Sequence, residues 1–197
     1  ALGNPSLTPE KIRTLEGVVS WQARHNVETS LSLFRHEISD LIGVSGTTYQ
    51  NTGQQNGRGG EWEVTWDPSR NLRFSGHYAY QKNIDQVTQQ DAGYAPHRHF
   101  YSRADWRFAS GWLISGQLNL VAERQRAAGD NRPDVPDYTS VDLTLRADRS
   151  KQGWDFSASI RNVFDADIRE PSKMGSGIPF DLPMPGRTLW LQMRYSV

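Results

Sequence analysis

The chain has 197 residues, 22 Lys and Arg balanced by 22 Asp and Glu, and no cysteine. Zero formal charge argues against a nucleic-acid binder, which needs a basic excess to neutralise phosphates, and the lack of thiols excludes disulfides and cysteine-based metal or redox centres. No stretch is apolar for the roughly 18 residues that a membrane-spanning helix needs, so that class is excluded as well.

Taken in chain order, the sequence alternates between apolar and polar residues nine times. The alternating segments are residues 15–22, 27–33, 61–67, 72–81, 100–108, 112–120, 141–146, 154–161 and 189–197. Period two is the strand signature, because successive side chains leave opposite faces of a pleated chain. The segments at 72–82, 112–123 and 138–149 reach the length of about 9–11 residues that a tilted strand needs to cross a bilayer. The last segment shows the pattern plainly: Leu189, Leu191, Met193, Tyr195 and Val197 alternate with Trp190, Gln192, Arg194 and Ser196.

The connections sort into two kinds. Short ones fall at His25-Asn26 and at residues 67–71, 109–111 and 150–153, where Asn, Gly, Pro and Ser favour turns. Long polar ones are expected at residues 43–57, 83–96, 124–137 and 162–186. Short turns at one end and long loops at the other are the plan of membrane β-barrels. Tryptophan supports this: Trp21, Trp66, Trp106, Trp112 and Trp154 all lie near short turns, as an interfacial aromatic belt requires. Tyr80, Phe100, Tyr138 and Phe164 are candidates for a second belt at the long-loop end. The polar positions, among them Arg73, Arg103, Asp105, Arg107, Asp142, Arg146, Asp155, Arg161 and Arg194, then line a lumen. The expected fold is all-β, an antiparallel meander of about nine long strands forming part of a transmembrane β-barrel.

Nine strands that start and finish with a descending strand cannot close a barrel, because single-chain bacterial barrels have an even number. Residues 1–197 are therefore expected to be the C-terminal portion of a larger barrel, with residues 1–10 ending an upstream loop. The absence of a basic-then-apolar leader agrees with that expectation.

Three stretches carry a family resemblance. "NPSLTPEKIRTLEGVVSWQ" resembles the Asn-Pro-x-Leu-x-Pro-Glu-Lys segment entering a late strand of TonB-dependent outer-membrane receptors. "PDYTSVDLTLRADRSKQGWDFSASIRNVFDADI" resembles their penultimate hairpin, and "PGRTLWLQMRYSV" their closing strand. The resemblance implies a 22-stranded barrel around an N-terminal plug, with the plug and upstream strands as partners within the same receptor. It implies the outer membrane of a Gram-negative bacterium, contact with its lipid, and energy from the TonB complex acting through the missing N-terminal part. It also implies transport of a scarce nutrient, above all an iron-siderophore, with no enzymatic activity and no cofactor. The family usually ends in Phe or Trp, whereas this chain ends in Val197.

The same resemblance directs attention to the long loops. Ferric siderophores are often anionic, which makes Arg124, Arg126 and Arg132 candidate ligand contacts, and Tyr49 and Tyr94 could stack on such a ligand. Ordinary solvated loop charge is the competing reading of these residues. No catalytic constellation is evident. "NGRGGEW" reads as a turn or strand start, His97 and His99 lack a third metal ligand, and Asp165 reads as a turn residue. Two other functions are consistent with the alternation alone: a passive porin-like barrel, and a soluble β-rich surface binding module.

Overall fold

The computed structural model describes residues 2–147, 153–174, 177–178 and 180–196. Nine strands form one antiparallel sheet: β1 (Lys11–Arg24), β2 (Val27–Ser45), β3 (Thr48–Ser69), β4 (Leu72–Asp85), β5 (Arg98–Ala109), β6 (Trp112–Ala122), β7 (Tyr138–Ala147), β8 (Gly153–Arg161) and β11 (Thr188–Ser196). They pair in chain order, β1 to β8 and then β11. Two short strands, β9 (Arg169–Glu170) and β10 (Leu182–Pro183), make a separate hairpin within the last long connection. All nine alternating segments thus lie on strands of one meander.

Among the described residues no second layer covers this sheet. Among the described residues the only buried apolar side chains are Val121, Val135 and Ala147, whereas Leu15 and Leu191 are each 75% exposed. A compact monomer of 22.3 kDa would expose about 9,400 Å²; this chain exposes 13623 Å². The apolar face is therefore not the inside of a two-sheet sandwich. The alternation has produced a wall with one greasy side and one polar side.

The cross-strand register places the five tryptophans on the apolar side and shows how they are arranged. Trp21 lies level with Thr29 and Val64, and Trp66 is two residues nearer the short turns. Trp66 is level with Phe74 and Ala104, and Trp106 lies two residues further. Trp106 is level with Ile114, with Trp112 two further. Trp112 is level with Ala147 and Phe156, with Trp154 two further and paired with Tyr195. Four slips of two residues over seven strand-to-strand steps, at ~3.3 Å per residue and ~4.8 Å per strand, correspond to a strand tilt of roughly 38°. That lies within the 35–45° of transmembrane barrels. A tilt in that range would set the five tryptophans at one level.

Three features differ from the sequence expectation. Residues 43–57 are not a long loop. β2 and β3 continue through them to a tight turn at Gly46-Thr47, giving strands of 19 and 22 residues. Beyond the lipid both faces meet water, so the ladder runs on without an apolar stripe to announce it. "NGRGGEW" accordingly lies inside β3. There a Cβ on Gly57 would sit 2.2 Å from the His36 ring and one on Gly59 2.6 Å from the Phe34 ring, so glycine lets both rings lie over the strand. Third, Tyr138 is on the polar face and not in a second lipid-side belt. It pairs in register with Val121, and its hydroxyl accepts a hydrogen bond from Asn119 Nδ2 at 3.4 Å. Tyr80 and Phe100 do face the apolar side, whereas Phe164 lies in the loop after β8. The short connection at 150–152, part of the strand expected to 149, and Val197 lie outside the described residues.

Candidate functional site

The polar face carries many charges, some of them paired. Arg103 donates to both oxygens of Asp105 at 2.8 Å, and Ser115 donates to the same carboxylate. Arg73 clasps Asp67 at 2.7 and 2.8 Å. Arg161 stacks 4.8 Å over the Trp190 ring, and Asp155 lies opposite Arg194 in register. A concavity of about 910 Å³ opens here near the short turns, lined by His25, Asp67, Arg73, Arg103, Asp105 and Arg107 among others. Higher up, His77 packs on Tyr101 and against the edge of His99, whose Nε2 is 2.6 Å from Asn119 Oδ1. His97 turns away to Asp91 at 2.7 Å, so His97 and His99 do not converge on a metal position. Among the described residues no group of three or more potential ligands does so.

At the long-loop end, three connections are built into one body. The loop 123–137 and the loop 162–187 meet through charge. Arg126 forms a fork on Asp181, with Nη1 at 3.0 Å and Nη2 at 2.6 Å. Arg132 clasps Asp130 at 2.9 and 2.6 Å and donates to Ser172 Oγ and Ser172 O, each at 2.8 Å. The Ser172 amide in turn donates to Asp181. Arg124 lies buried across the base, donating to Arg169 O at 2.7 Å and to Pro136 O, 5.0 Å over the Tyr138 ring. Paired guanidinium forks satisfy buried carboxylates in both direction and charge.

The third connection, loop 86–97, sits on this frame. The Tyr94 amide donates to Gln125 O at 3.0 Å, and its hydroxyl accepts from the Met174 amide at 3.4 Å. Gly93 makes the approach possible: its φ is +76°, and a Cβ there would lie 2.1 Å from Ala127 N. Gly93→Ala is expected to lift this loop, because the left-handed strain of about 1–2 kcal/mol adds to a backbone collision. Hydrogen exchange of the amides at 94 and 97 should quicken in the variant; unchanged protection would contradict the contact.

The carboxylates of the frame are acidified. The hydrogen bond from Arg132 holds the Asp130 pKa at about 2, against an ordinary 3.8. Asp181 is lowered mainly by its bond to Arg126. A depressed carboxylate pKa contributes stability above the unfolded value and loses it as pH falls through the folded value. Spin labels at positions 128 and 173 should therefore report one narrow distance at pH 7 and 5. The distribution should broaden as pH falls from about 4 to 2. A distribution unchanged to pH 2 would show that these pairs do not hold the loops.

The five loop residues singled out in the sequence are thus placed differently. Arg124, Arg126 and Arg132 are engaged with protein partners, and Tyr94 seats one loop on another. Tyr49 stands apart at the tip of the β2–β3 hairpin, 41% exposed, with its amide bonded to Leu2 O and its carbonyl to Asn4. Sequence reasoning missed Asp130, Ser172 and Asp181. Only the Asp130-x-Arg132 spacing was visible locally. Below the frame, the Asn162-Val-Phe-Asp turn ties three strands together. The Asn162 amide donates to Asp142 at 2.8 Å, and Arg187 N donates to Asp165 at 2.7 Å, so Asp165 is a turn residue.

A one-layer wall with tryptophans on its apolar face near the short turns, a charged inner side and long loops at one end defines a segment of a transmembrane β-barrel. The chain belongs to the TonB-dependent receptor family: the model of its β-barrel, "TonB dependent receptor-like, beta-barrel", matches residues 1–163. Solved structures share the fold. The copper transporter OprC superposes with a TM-score of 0.81 at 18% identity, covering 99% of this chain and 34% of its own. The ferric yersiniabactin uptake receptor FyuA from Yersinia pestis gives 0.80 at 17% identity, covering 94% and 30%. The ferripyoverdine receptor of the outer membrane of Pseudomonas aeruginosa gives 0.76 at 16%, covering 96% and 27%. The chain therefore spans about a third of the length of the structures it matches. No curated protein matches it by sequence.

Proposed function

We propose that this chain forms the wall and outer loops of a TonB-energised receptor that carries a scarce nutrient, a ferric siderophore, across the outer membrane of a Gram-negative bacterium. The observation that carries this reading is the junction of a lipid-adapted wall with a charge-clamped loop body. A passive pore gains nothing from loops locked together by buried guanidinium forks, whereas a ligand receptor needs a preorganised rim. The free edges of β1 and β11 pair with further strands of the same barrel, and the charged inner face meets a plug that TonB engages. Arg124, Arg126 and Arg132 build the rim, while Tyr49 and the Tyr94 ring face ligand. The affinity of neighbouring structures for ferric siderophores supports iron as the cargo.

The test is uptake of ⁵⁵Fe by cells expressing the full-length receptor, with catecholate, hydroxamate and carboxylate siderophores offered in turn. One class should accumulate, and collapse of the proton-motive force should abolish it. Entry of all solutes alike, insensitive to an uncoupler, would replace this reading with a passive pore.

A further inference from the structure

Two histidines stand side by side on the polar face. His77 lies on β4, opposite Tyr101 in register, and His99 lies on β5 two residues nearer the long loops. Their ring centroids are 5.0 Å apart, with the planes at 73°. Two imidazoles sharing one ion at about 2.0–2.1 Å have centroids roughly 4.5–5.2 Å apart, for bond angles between square and tetrahedral. The rings are therefore already spaced as ligands of one ion.

The surrounding hydrogen bonds fix what each ring can offer. Asn119 Nδ2 donates to the Tyr138 hydroxyl at 3.4 Å, which turns Asn119 Oδ1 toward His99 Nε2 at 2.6 Å. An amide oxygen only accepts, so His99 Nε2 carries the proton and Nδ1 carries a lone pair. Histidine ligands of metals have their second nitrogen anchored in this way. Neither nitrogen of His77 has a hydrogen-bond partner among the described residues, and the Tyr101 ring stacked 5.4 Å away restricts its tilt. The charges around the pair favour a cation. Glu63 is directly opposite His77 on β3, and Glu61 is opposite Ala79, which pairs with His99. Arg103, two residues below Tyr101, is already bound to Asp105.

We propose that His99 Nδ1 and a ring nitrogen of His77 hold one divalent transition ion on the inner wall of the barrel, Cu²⁺ in preference to Ni²⁺ or Zn²⁺. Imidazole suits these ions, and Cu²⁺ stands highest among them, whereas Mg²⁺ and Ca²⁺ prefer oxygen. Two protein ligands leave the remaining positions to water, so the ion exchanges. Asn119 is a positioning residue, holding His99 in the tautomer that binds. The site does not depend on which cargo the receptor carries.

The test titrates Cu²⁺ into full-length receptor stripped of metal, followed by electron paramagnetic resonance. One ion coordinated by two imidazole nitrogens is expected. His77→Gln and His99→Gln should each remove that signal, while copper bound elsewhere on the receptor persists. His25→Gln, at a short turn, should leave it unchanged. Asn119→Leu should weaken binding about tenfold or more with both nitrogens retained, and Asn119→Asp, which also accepts the Nε2 proton, should restore it. In the unmodified receptor, Cu²⁺ should slow modification of His77 and His99 by diethyl pyrocarbonate, and excess Mg²⁺ should not. A signal that survives in His77→Gln and His99→Gln overturns the site, and so do unchanged modification rates, which need no variant to fold. An Asn119→Leu receptor that binds as the unmodified one does overturns the positioning role.

Discussion

Leu143→Arg is expected to destabilise the reconstituted full-length receptor by about 2–4 kcal/mol, whereas Thr144→Arg, one residue away, should cost little. Leu143 faces the lipid side of β7, between Gly116 and Ile160 in register. It lies on the same row as Trp66 and Phe74, about midway in the band at this part of the tilted wall. An arginine there must lose hydration or distort the bilayer. Thr144 faces the polar side, where its hydroxyl meets Ser159 at 2.9 Å, and a charge there can remain solvated. Urea unfolding in lipid vesicles, followed by tryptophan emission, would measure both. Equal costs for the two variants would mean that the lipid and polar faces of β7 are misassigned.

Asp181→Ala should release the outer loops. Arg126 would keep its bond to Pro133 O and its 3.9 Å approach to Asp130 but lose both fork oxygens, and Ser172 N would lose its acceptor. Removing one member of a charged hydrogen-bonded pair costs about 2 kcal/mol or more when the other stays buried. The side chains of Arg126 and Asp181 are 6% and 7% exposed, so little water is available to compensate. The wall should keep its thermal stability, while exchange protection at residues 172 and 135 falls and affinity for the siderophore class proposed as cargo falls at least about tenfold. The double variant Arg126→Ala/Asp181→Ala should recover part of the loop protection, because no unpaired charge remains. Retained protection in the single variant would show that packing alone holds the loops.

The wall was legible in the sequence because lipid on one side and polar lumen on the other impose a strict two-residue period. As far as the described residues go, every one of the nine alternating segments, such as Trp154 to Arg161, lies on a strand of the main sheet. The period stops being informative where the two environments become alike. Residues 43–57 read as loop for that reason, though hydrogen bonds between β2 and β3 continue to a turn at Gly46-Thr47. Tyr138 was placed on the wrong face because nearness to a strand end fixes height but not side; parity with Val121 and Asn119 fixes side. The loop frame was the least legible part. Arg126 and Asp181 are separated by 55 positions, and nothing local to either indicates the other.

The register irregularities of the main sheet also constrain how such a chain can diversify. They fall between Gln22 and Arg24, Trp66 and Ser69, and Trp106 and Ala109, next to short turns, and between Ile38 and Ile42, above the lipid. None interrupts the stretch in between. A single inserted or deleted codon there would turn every greasy side chain on one side of it to the polar face, so the middle of each strand is closed to changes of length. Loops are free of that parity rule. Whole loops can therefore be lengthened, shortened or exchanged while the scaffold beneath them keeps its register.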